Sequence, residues 1–221
     1  MTRHFVSEIE KLKKMILHLT AMVESSLMIS VNAVAKRDDT IREKVQKIDN
    51  EIDAYEVEIE EECLKILALH QPVAADLRFV VAVLKINNDL ERIGDLSLNL
   101  AKRVKDFAPY SDRTVPFDLP RMHEVTMKMV KQSSDALIAW DDKLARDICR
   151  IDNEVDNIHK NAYRAIKDKL KEEPDFSEYY LGLLSVSRNL ERIADHATNI
   201  AEDIIYMVSG EIIRHQNSDA K

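Results

Sequence analysis

Apolar residues along the first 35 positions recur at steps of three and four, which is the spacing of one face of an α-helix. They are Phe5, Ile9, Leu12, Ile16, Leu19, Val23, Leu27 and Val31. A second series follows the paired Asp38 and Asp39, whose carboxylates suit a helix N-terminus. It ends near His70, where Pro72 suits the first turn of a third helix that fades around Phe107. The pattern predicts three long helices in the first half of the chain.

The segment FAPYSDRTVPFDLP, residues 107–120, interrupts this pattern with three of the five prolines. Beyond it a fourth helix leads to Trp140, Asp141 and Asp142 open a fifth, and Pro174 lies just ahead of a sixth. We therefore predict four regions: a first three-helix bundle over residues 1–107, a linker over 108–117, a second three-helix bundle over 118–215, and a tail over 216–221.

The second half of the chain repeats the first. KIDNEID, residues 47–53, returns as RIDNEVD, residues 150–156. LERIGDLSLNLA, residues 90–101, returns as LERIADHATNIA, residues 190–201. Helices two and five therefore correspond, as do helices three and six. The expected fold is all-α, with two tandem pseudo-symmetric three-helix bundles.

Composition supports this fold, because 3 glycines and 5 prolines leave few residues for the tight turns of a β-rich chain. The longest apolar run, residues 79–84, has 6 residues, against about 20 for a helix that spans a bilayer. Glu8 and Glu10 stand where a secretory signal carries its apolar segment, so we expect no membrane span and a cytoplasmic location. The net charge of -8 argues against direct binding of nucleic acid.

Both repeats place carboxylates one helical turn apart. In each half, one pair lies on the second helix of the bundle beside its apolar seam, and the other lies on the polar face of the third helix. The pairs are Asp49 and Asp53 with Glu91 and Asp95, and Asp152 and Asp156 with Glu191 and Asp195. Four carboxylates meeting across a groove would repel one another, and a metal ion would remove that repulsion. Spacing alone leaves two interpretations open: a site for a hard cation, or solvated helix faces paired with residues such as Arg92 and Arg192.

The repeated segments, together with HQPVAADLRFVVAVLKINNDLERIGD at residues 70–95, resemble the PhoU family. The resemblance extends from about residue 5 to residue 210. It implies a cytoplasmic negative regulator of the phosphate-starvation response, which links the ATP-binding subunit of a phosphate ABC transporter to a sensor histidine kinase and often forms a homodimer. It also implies metal sites, in some members multinuclear, on the eight motif carboxylates. Iron, manganese, magnesium and zinc all stay open as the metal.

The two predicted sites are not equivalent. Glu56 in the first half corresponds to His159 in the second, and Leu96 corresponds to His196. The second site could therefore include imidazole, which leads to the hypothesis that it accepts a softer ion such as Fe²⁺ or Zn²⁺ more readily. The alternative is that both histidines are solvated.

Three functions are compatible with these patterns. The first is a metal-bearing signalling adaptor that turns over no substrate. The second is a metal-free helical scaffold that binds partners through apolar patches. The third is a carboxylate-bridged metalloenzyme, which we do not expect, because the chain has no Glu-x-x-His motif of the kind that dimetal bundles use.

Overall fold

The computed structural model describes residues 3–110 and 112–213. Within these residues the chain forms long helices and no strand, which confirms the all-α prediction. The helices are α1 (Arg3–Lys36), α2 (Arg42–His70), α3 (Ala74–Phe107), α4 (Leu119–Ala139), α5 (Asp142–Glu172) and α6 (Ser177–Ser209). Single 3₁₀ turns, Asp39–Ile41 and Pro174–Phe176, precede α2 and α6.

Two tandem three-helix bundles form, as expected: α1, α2 and α3 pack together, and so do α4, α5 and α6. The bundles meet through α3 and α6, which run antiparallel. Gly182 near the start of α6 lies against Asp106 at the end of α3, while Lys85 near the start of α3 lies 3.3 Å from the Asp203 carboxylate near the end of α6. The buried apolar side chains of both bundles form one connected cluster. The positions at which the two bundles would separate as domains stay a prediction.

Two helix starts differ from the sequence prediction. Asp38 caps the 3₁₀ turn by accepting the Thr40 backbone N–H at 3.0 Å, so α2 begins only at Arg42. Pro72 does not lie in the first turn of α3, because Gln71 and Ala74 both adopt positive φ, 46° and 50°, and break the helix on either side of it. The prediction for α5 is confirmed, since Asp141 accepts the N–H groups of the first turn.

The linker is attached to both bundles. Arg37, which follows α1 with a φ of 55°, donates hydrogen bonds from its guanidinium to the carbonyls of Tyr110 and Arg113. Arg113 in turn pairs with Glu173 at the end of α5. The predicted tail over residues 216–221 lies outside the described residues.

Of the described helices, α1 is long and apolar enough to cross a membrane, judged by length and composition only. Half of its most apolar 18-residue segment is buried inside the protein, however, and a buried core helix can have the same length and composition. The finding is therefore weak evidence for a membrane span.

Candidate metal sites in the two bundles

The first carboxylate set comprises Asp49 and Asp53 on α2 with Glu91 and Asp95 on α3. A close contact between the helices positions it. Gly94 on α3 has no side chain, and a Cβ there would lie 3.2 Å from Ile52 Cδ1 and 3.8 Å from Asp49 Oδ1. The glycine thus lets α2 approach α3 and brings the α2 carboxylates against those of α3.

Asp49 is the buried member of this set, at 4% exposure. Its Oδ2 accepts a long hydrogen bond of 3.4 Å from Gln46, whereas its Oδ1 is buried and has no hydrogen-bond partner among the described residues. Burial, together with the Asp53 and Asp95 carboxylates, raises the pKa of Asp49 to about 6, and Lys102 opposes the rise. A buried carboxylate oxygen without a donor is a costly arrangement that a bound cation would relieve.

The other members of the first set are more accessible. Burial and then the Asp95 carboxylate raise the pKa of Asp53, although Asp53 lies largely at the surface. The same two causes raise the pKa of Glu91, and Arg92 opposes them. The Arg92 guanidinium lies 3.3 Å from Glu91 Oε2 and 3.6 Å from Asp95 Oδ2. Part of the negative charge of this set is therefore compensated within the protein.

The second carboxylate set comprises Asp152 and Asp156 on α5 with Glu191 and Asp195 on α6. One oxygen from each of Asp152, Asp156 and Asp195 lies within 4.8 Å of the other two. Across residues 3–110 and 112–213, this is the one group of three potential ligands that converges so closely. Oxygens at such separations can reach one cation at the roughly 2.0–2.6 Å distances of Mg²⁺ or Ca²⁺ ligands.

Glu191 lies beside this group of three. Burial raises its pKa, as do the Asp156 and Asp152 carboxylates, while Arg188 and Arg192 oppose the rise. Lys160 approaches Asp156 Oδ2 at 3.5 Å. The second set thus also has basic neighbours, including Lys160 beside Asp156 and Arg188 and Arg192 near Glu191.

The two histidines considered as ligands occupy different places. His159 Nδ1 lies 2.9 Å from Ser187 Oγ. Burial lowers the pKa of His159, and the nearby Asp156 carboxylate opposes this, which places the ring beside the second set. His196 Nδ1 instead lies 2.7 Å from an oxygen of Asp89 on α3, so this nitrogen contacts the interface between the bundles.

Sequence reasoning missed Ser187 and Asp89, the partners of these histidines. Neither residue belongs to a repeated motif, and Asp89 lies 107 positions from the histidine that it contacts. Sequence reasoning also missed Lys102, which lowers the pKa of Asp49 only because α2 packs along α3. The donor chemistry of both sets fits a cation that prefers oxygen ligands, with His159 available beside the second set.

A protein-family model, described as PhoU domain, matches this chain twice, over residues 16–104 and residues 119–204. The two matches cover most of both bundles. The chain belongs to the PhoU family. All eight motif carboxylates lie within the two regions that the PhoU model matches.

Individual PhoU relatives are similar along nearly the whole chain. A phosphate-specific transport system accessory protein PhoU homologue of Pseudomonas aeruginosa is 34% identical over 215 residues, covering 97% of this chain and 89% of the relative. A PhoU homologue of Aquifex aeolicus with the same description is 34% identical and covers 97% of each chain. A PhoU homologue of Thermotoga maritima is 31% identical over 94% of this chain and 90% of its own.

Solved PhoU structures have the same fold. The crystal structure of PhoU from Pseudomonas aeruginosa matches with a TM-score of 0.89 and 34% identity, covering 94% of this chain and all of that one. The phosphate transport system regulatory protein PhoU from Streptococcus pneumoniae matches with a TM-score of 0.82 and 27% identity, covering 94% of this chain and 98% of that one.

Proposed function

We propose that this protein is a cytoplasmic accessory regulator of a phosphate-specific transport system. It modulates phosphate uptake and represses the phosphate-starvation response. The observation that carries this proposal is the similarity over both bundles to relatives described as phosphate-specific transport system accessory proteins. In this role the protein binds the ATP-binding subunit of the phosphate ABC transporter and a sensor histidine kinase, and it acts as a homodimer without turning over a substrate.

We further propose that the two carboxylate sets bind metal ions, with one or more ions in each. Two observations support this. Asp152, Asp156 and Asp195 converge within 4.8 Å, and Asp49 holds a buried oxygen that has no hydrogen-bond partner among the described residues. A bound cation would offset the mutual repulsion of the carboxylates and fix α2 against α3 and α5 against α6. Ions that accept oxygen ligands, such as Mg²⁺, Mn²⁺ or iron, suit both sets, and His159 makes Zn²⁺ or Fe²⁺ suitable for the second.

A genetic complementation experiment tests the regulatory role. In a bacterial host whose own PhoU gene is deleted, expression of this protein should restore repression of a phosphate-starvation reporter in phosphate-rich medium. Co-purification with the host's transporter ATP-binding subunit and sensor kinase tests the two partners separately. An unrepressed reporter at normal protein levels, without co-purification of either partner, would contradict the proposed role.

Elemental analysis tests the metal sites independently of repression. Protein purified without chelators or an affinity metal column should contain at least one metal equivalent per bundle. If it contains none and added ions do not restore any, the carboxylates are surface charge, and the metal-free scaffold becomes the better explanation. If metal is present but removing the carboxylates leaves repression unchanged, the sites are structural rather than regulatory.

A further inference from the structure

The side of α2 that points away from α1 and α3 is partly apolar. We call Val57, Glu60, Glu61, Leu64 and Ala68 the α2 outer face, because their steps of three and four place them on one side of the helix. All five residues are exposed, and Val57 and Leu64 are 49% and 53% exposed. From Val57 to Ala68 the face is about 17 Å long. Solvated helix faces are normally polar, so these exposed aliphatic side chains call for an explanation.

The apolar surface continues past the end of the α2 outer face into the turn between α2 and α3. Leu69 is 66% exposed and Val73 is 73% exposed. Together with Phe5 and Pro72 they line a cavity of about 300 Å³ beside the end of the face. The apolar surface therefore combines a helix face with a concavity that an apolar side chain of another molecule can enter.

The corresponding face of the second bundle shows that the fold does not require apolar residues here. In the register that relates residues 47–53 to residues 150–156, Val57 and Leu64 correspond to two exposed lysines on α5. Leu69 corresponds to Glu172, which is also exposed. The five counterparts of the α2 outer face are Lys160, Tyr163, Arg164, Lys167 and Lys171. Because an equivalent helix folds with a basic, solvated face, the aliphatic residues of α2 are available for contacts outside the chain.

Negative charge flanks these aliphatic residues on both sides. At about 100° per residue, Glu60 and Glu61 lie to either side of the line that joins Val57 and Leu64. Neither glutamate forms an ion pair or a hydrogen bond within residues 3–110 and 112–213. Burial and then the Glu60 carboxylate raise the pKa of the neighbouring Glu56. The α2 outer face therefore combines aliphatic side chains with negative charge that no basic side chain in the described part of the chain compensates directly.

This combination decides between possible occupants. The two glutamates would repel anionic lipid headgroups and nucleic acid. The α5 face of a second copy would match their charge, but four of its five side chains are cationic, so it offers little apolar surface to Val57 and Leu64. Two α2 outer faces packed together would place glutamates against glutamates. The surface fits a helix that carries an apolar seam between basic side chains.

We propose that the α2 outer face binds an amphipathic helix of a partner protein. The apolar seam of that helix packs on Val57 and Leu64, and its lysine or arginine side chains pair with the two glutamates. One apolar side chain enters the cavity lined by Leu69 and Val73. A helix of about 12–15 residues is long enough to cover the face. The inference rests on the proposed adaptor role, which gives this protein two protein partners, and it assigns the face that one of them contacts.

Synthetic peptides test the chemistry of the face directly. The probe is a helical peptide of about 15 residues, with leucines on one side and lysines on both flanks of the leucines. The controls are a scrambled peptide of the same composition, which has no apolar seam, and a peptide with glutamates in place of the lysines. At physiological salt, we expect the parent protein to bind the lysine peptide with a Kd below about 100 μM by calorimetry. Both control peptides should bind at least about tenfold more weakly.

Surface variants locate the binding. Glu60→Lys, Glu61→Lys should weaken the lysine peptide at least about tenfold and bind the glutamate peptide more tightly than the parent does, which shows that the variant is folded. Leu64→Ser removes the apolar centre without a change of charge and should weaken the lysine peptide about tenfold. The matched control is Asp168→Lys, Glu172→Lys on α5. It changes the net charge by the same amount at two exposed positions and should bind the lysine peptide as the parent does.

Co-purification connects the face to the proposed function. From a host that contains the transporter ATP-binding subunit and the sensor kinase, Glu60→Lys, Glu61→Lys should lose one of these partners. The control Asp168→Lys, Glu172→Lys should keep the partner that the first variant loses. If the parent protein co-purifies with neither partner, the proposed function fails, while peptide binding still tests the face. If the parent co-purifies with both and Glu60→Lys, Glu61→Lys retains both, the face docks neither partner and the inference is wrong.

Three further results would overturn the proposal. The first is no binding of the lysine peptide, or equal binding of the lysine and scrambled peptides, which would mean that charge alone attracts them. The second is a homodimer that dissociates in Leu64→Ser by analytical ultracentrifugation, which would make a second copy the occupant. The third is binding of the parent to phosphatidylserine–phosphatidylcholine vesicles that Leu64→Ser loses, which would make a membrane surface the occupant.

Discussion

The two carboxylate sets share a motif but differ in the residues around them. In the first set, Lys102 opposes the rise in the pKa of Asp49, and Arg92 contacts Glu91 and Asp95. The position of the second half that corresponds to Lys102 is Glu202, an acidic residue that contributes to raising the pKa of the neighbouring Cys149.

The duplication thus preserved the motif carboxylates but not all of the charged residues around them. Both halves keep the carboxylates and have basic residues beside them, whereas only the second half brings three carboxylate oxygens within 4.8 Å of one another among the described residues. Because one oxygen from each of three carboxylates already converges in the second set, we expect it to hold its metal more tightly than the first.

Removing each set separately should produce the largest effect. The variant Asp152→Asn, Asp156→Asn, Asp195→Asn deletes the converging group, and we expect its affinity for the metal of the second bundle to fall by at least about 100-fold. The counterpart, Asp53→Asn, Glu91→Gln, Asp95→Asn, should lose the metal of the first bundle and retain that of the second. The measurement is metal per chain by elemental analysis after dialysis against increasing chelator concentrations.

Chelator resistance distinguishes the two sets in the same experiment. In the parent protein, the last metal equivalent that the chelator removes should be that of the second bundle. The variant Asp152→Asn, Asp156→Asn, Asp195→Asn should lack this equivalent. If both variants lose metal at the same chelator concentration, the two sites are equivalent, and the convergence of three carboxylates in the second set has no effect on binding.

The next effect is a pH dependence of stability that originates at Asp49. Its pKa is raised to about 6 in the folded protein, so the folded state holds this proton more tightly than the unfolded state does. The contribution of Asp49 to the stability of metal-free protein should therefore fall as the pH rises from about 4 to about 6, by at most about 3 kcal/mol at 1.4 kcal/mol per pKa unit. The variant Asp49→Asn should remove this loss and be more stable than the parent at pH 7, measured by urea unfolding in the presence of chelator.

Asp53→Asn is the matched control for this prediction, because Asp53 lies one turn away on the same helix but at the surface. Its gain in stability should be clearly smaller. A difference in free energy of unfolding between the parent and Asp49→Asn that does not change over this pH range, or a destabilised Asp49→Asn variant, would show that the buried carboxylate is not strained without metal.

Helical periodicity was enough to predict most of the fold and to predict which carboxylates share a helix face in each half. The spacing of Phe5 to Val31 predicts α1, and the motifs at residues 47–53 and 90–101 predict which carboxylates line the first groove. These features depend on local geometry within one helix. The predicted starts of α2 and α3 were less accurate, because a helix start depends on single residues in the preceding turn, such as Gln71 with its positive φ.

Contacts between the bundles could not be predicted in the same way. His196 was a candidate ligand, yet its Nδ1 contacts Asp89 because α3 and α6 cross antiparallel at the centre of the molecule. The cavity lined by Val34, Phe107, Phe117 and Leu183 likewise depends on four helices and the linker meeting at one point. No single-helix periodicity encodes such a meeting, since the residues lie far apart in the sequence.

A smaller effect concerns the choice of metal in the second set. His159 lies beside Asp156, with its Nδ1 held by Ser187. We expect His159→Ala to lower Zn²⁺ or Fe²⁺ affinity of the second bundle by about tenfold and to leave Mg²⁺ affinity unchanged, because imidazole suits the softer ions. Glu56→Ala, at the corresponding position of the first half, should leave Zn²⁺ affinity of the second bundle unaffected. Equal Zn²⁺ and Fe²⁺ affinities of His159→Ala and the parent, by competition with a chromophoric chelator, would refute the hypothesis.

The smallest effect tests how closely the helices approach in each bundle. A Cβ at Gly94 would lie 3.2–3.3 Å from two atoms of the fully buried Ile52, whereas the corresponding residue in the second half, Ala194, already carries one. In Gly94→Ala, the gain in helix propensity of about 1 kcal/mol competes with a cost of about 1–3 kcal/mol for crowding a packed core. We expect crowding to prevail, so that this variant is destabilised by about 1 kcal/mol. Ala194→Gly should also lose about 1–2 kcal/mol, but through lower helix propensity and the loss of a buried methyl group rather than through crowding. Urea unfolding of metal-free protein measures both, and a stabilised Gly94→Ala variant would show that α2 and α3 have room to separate.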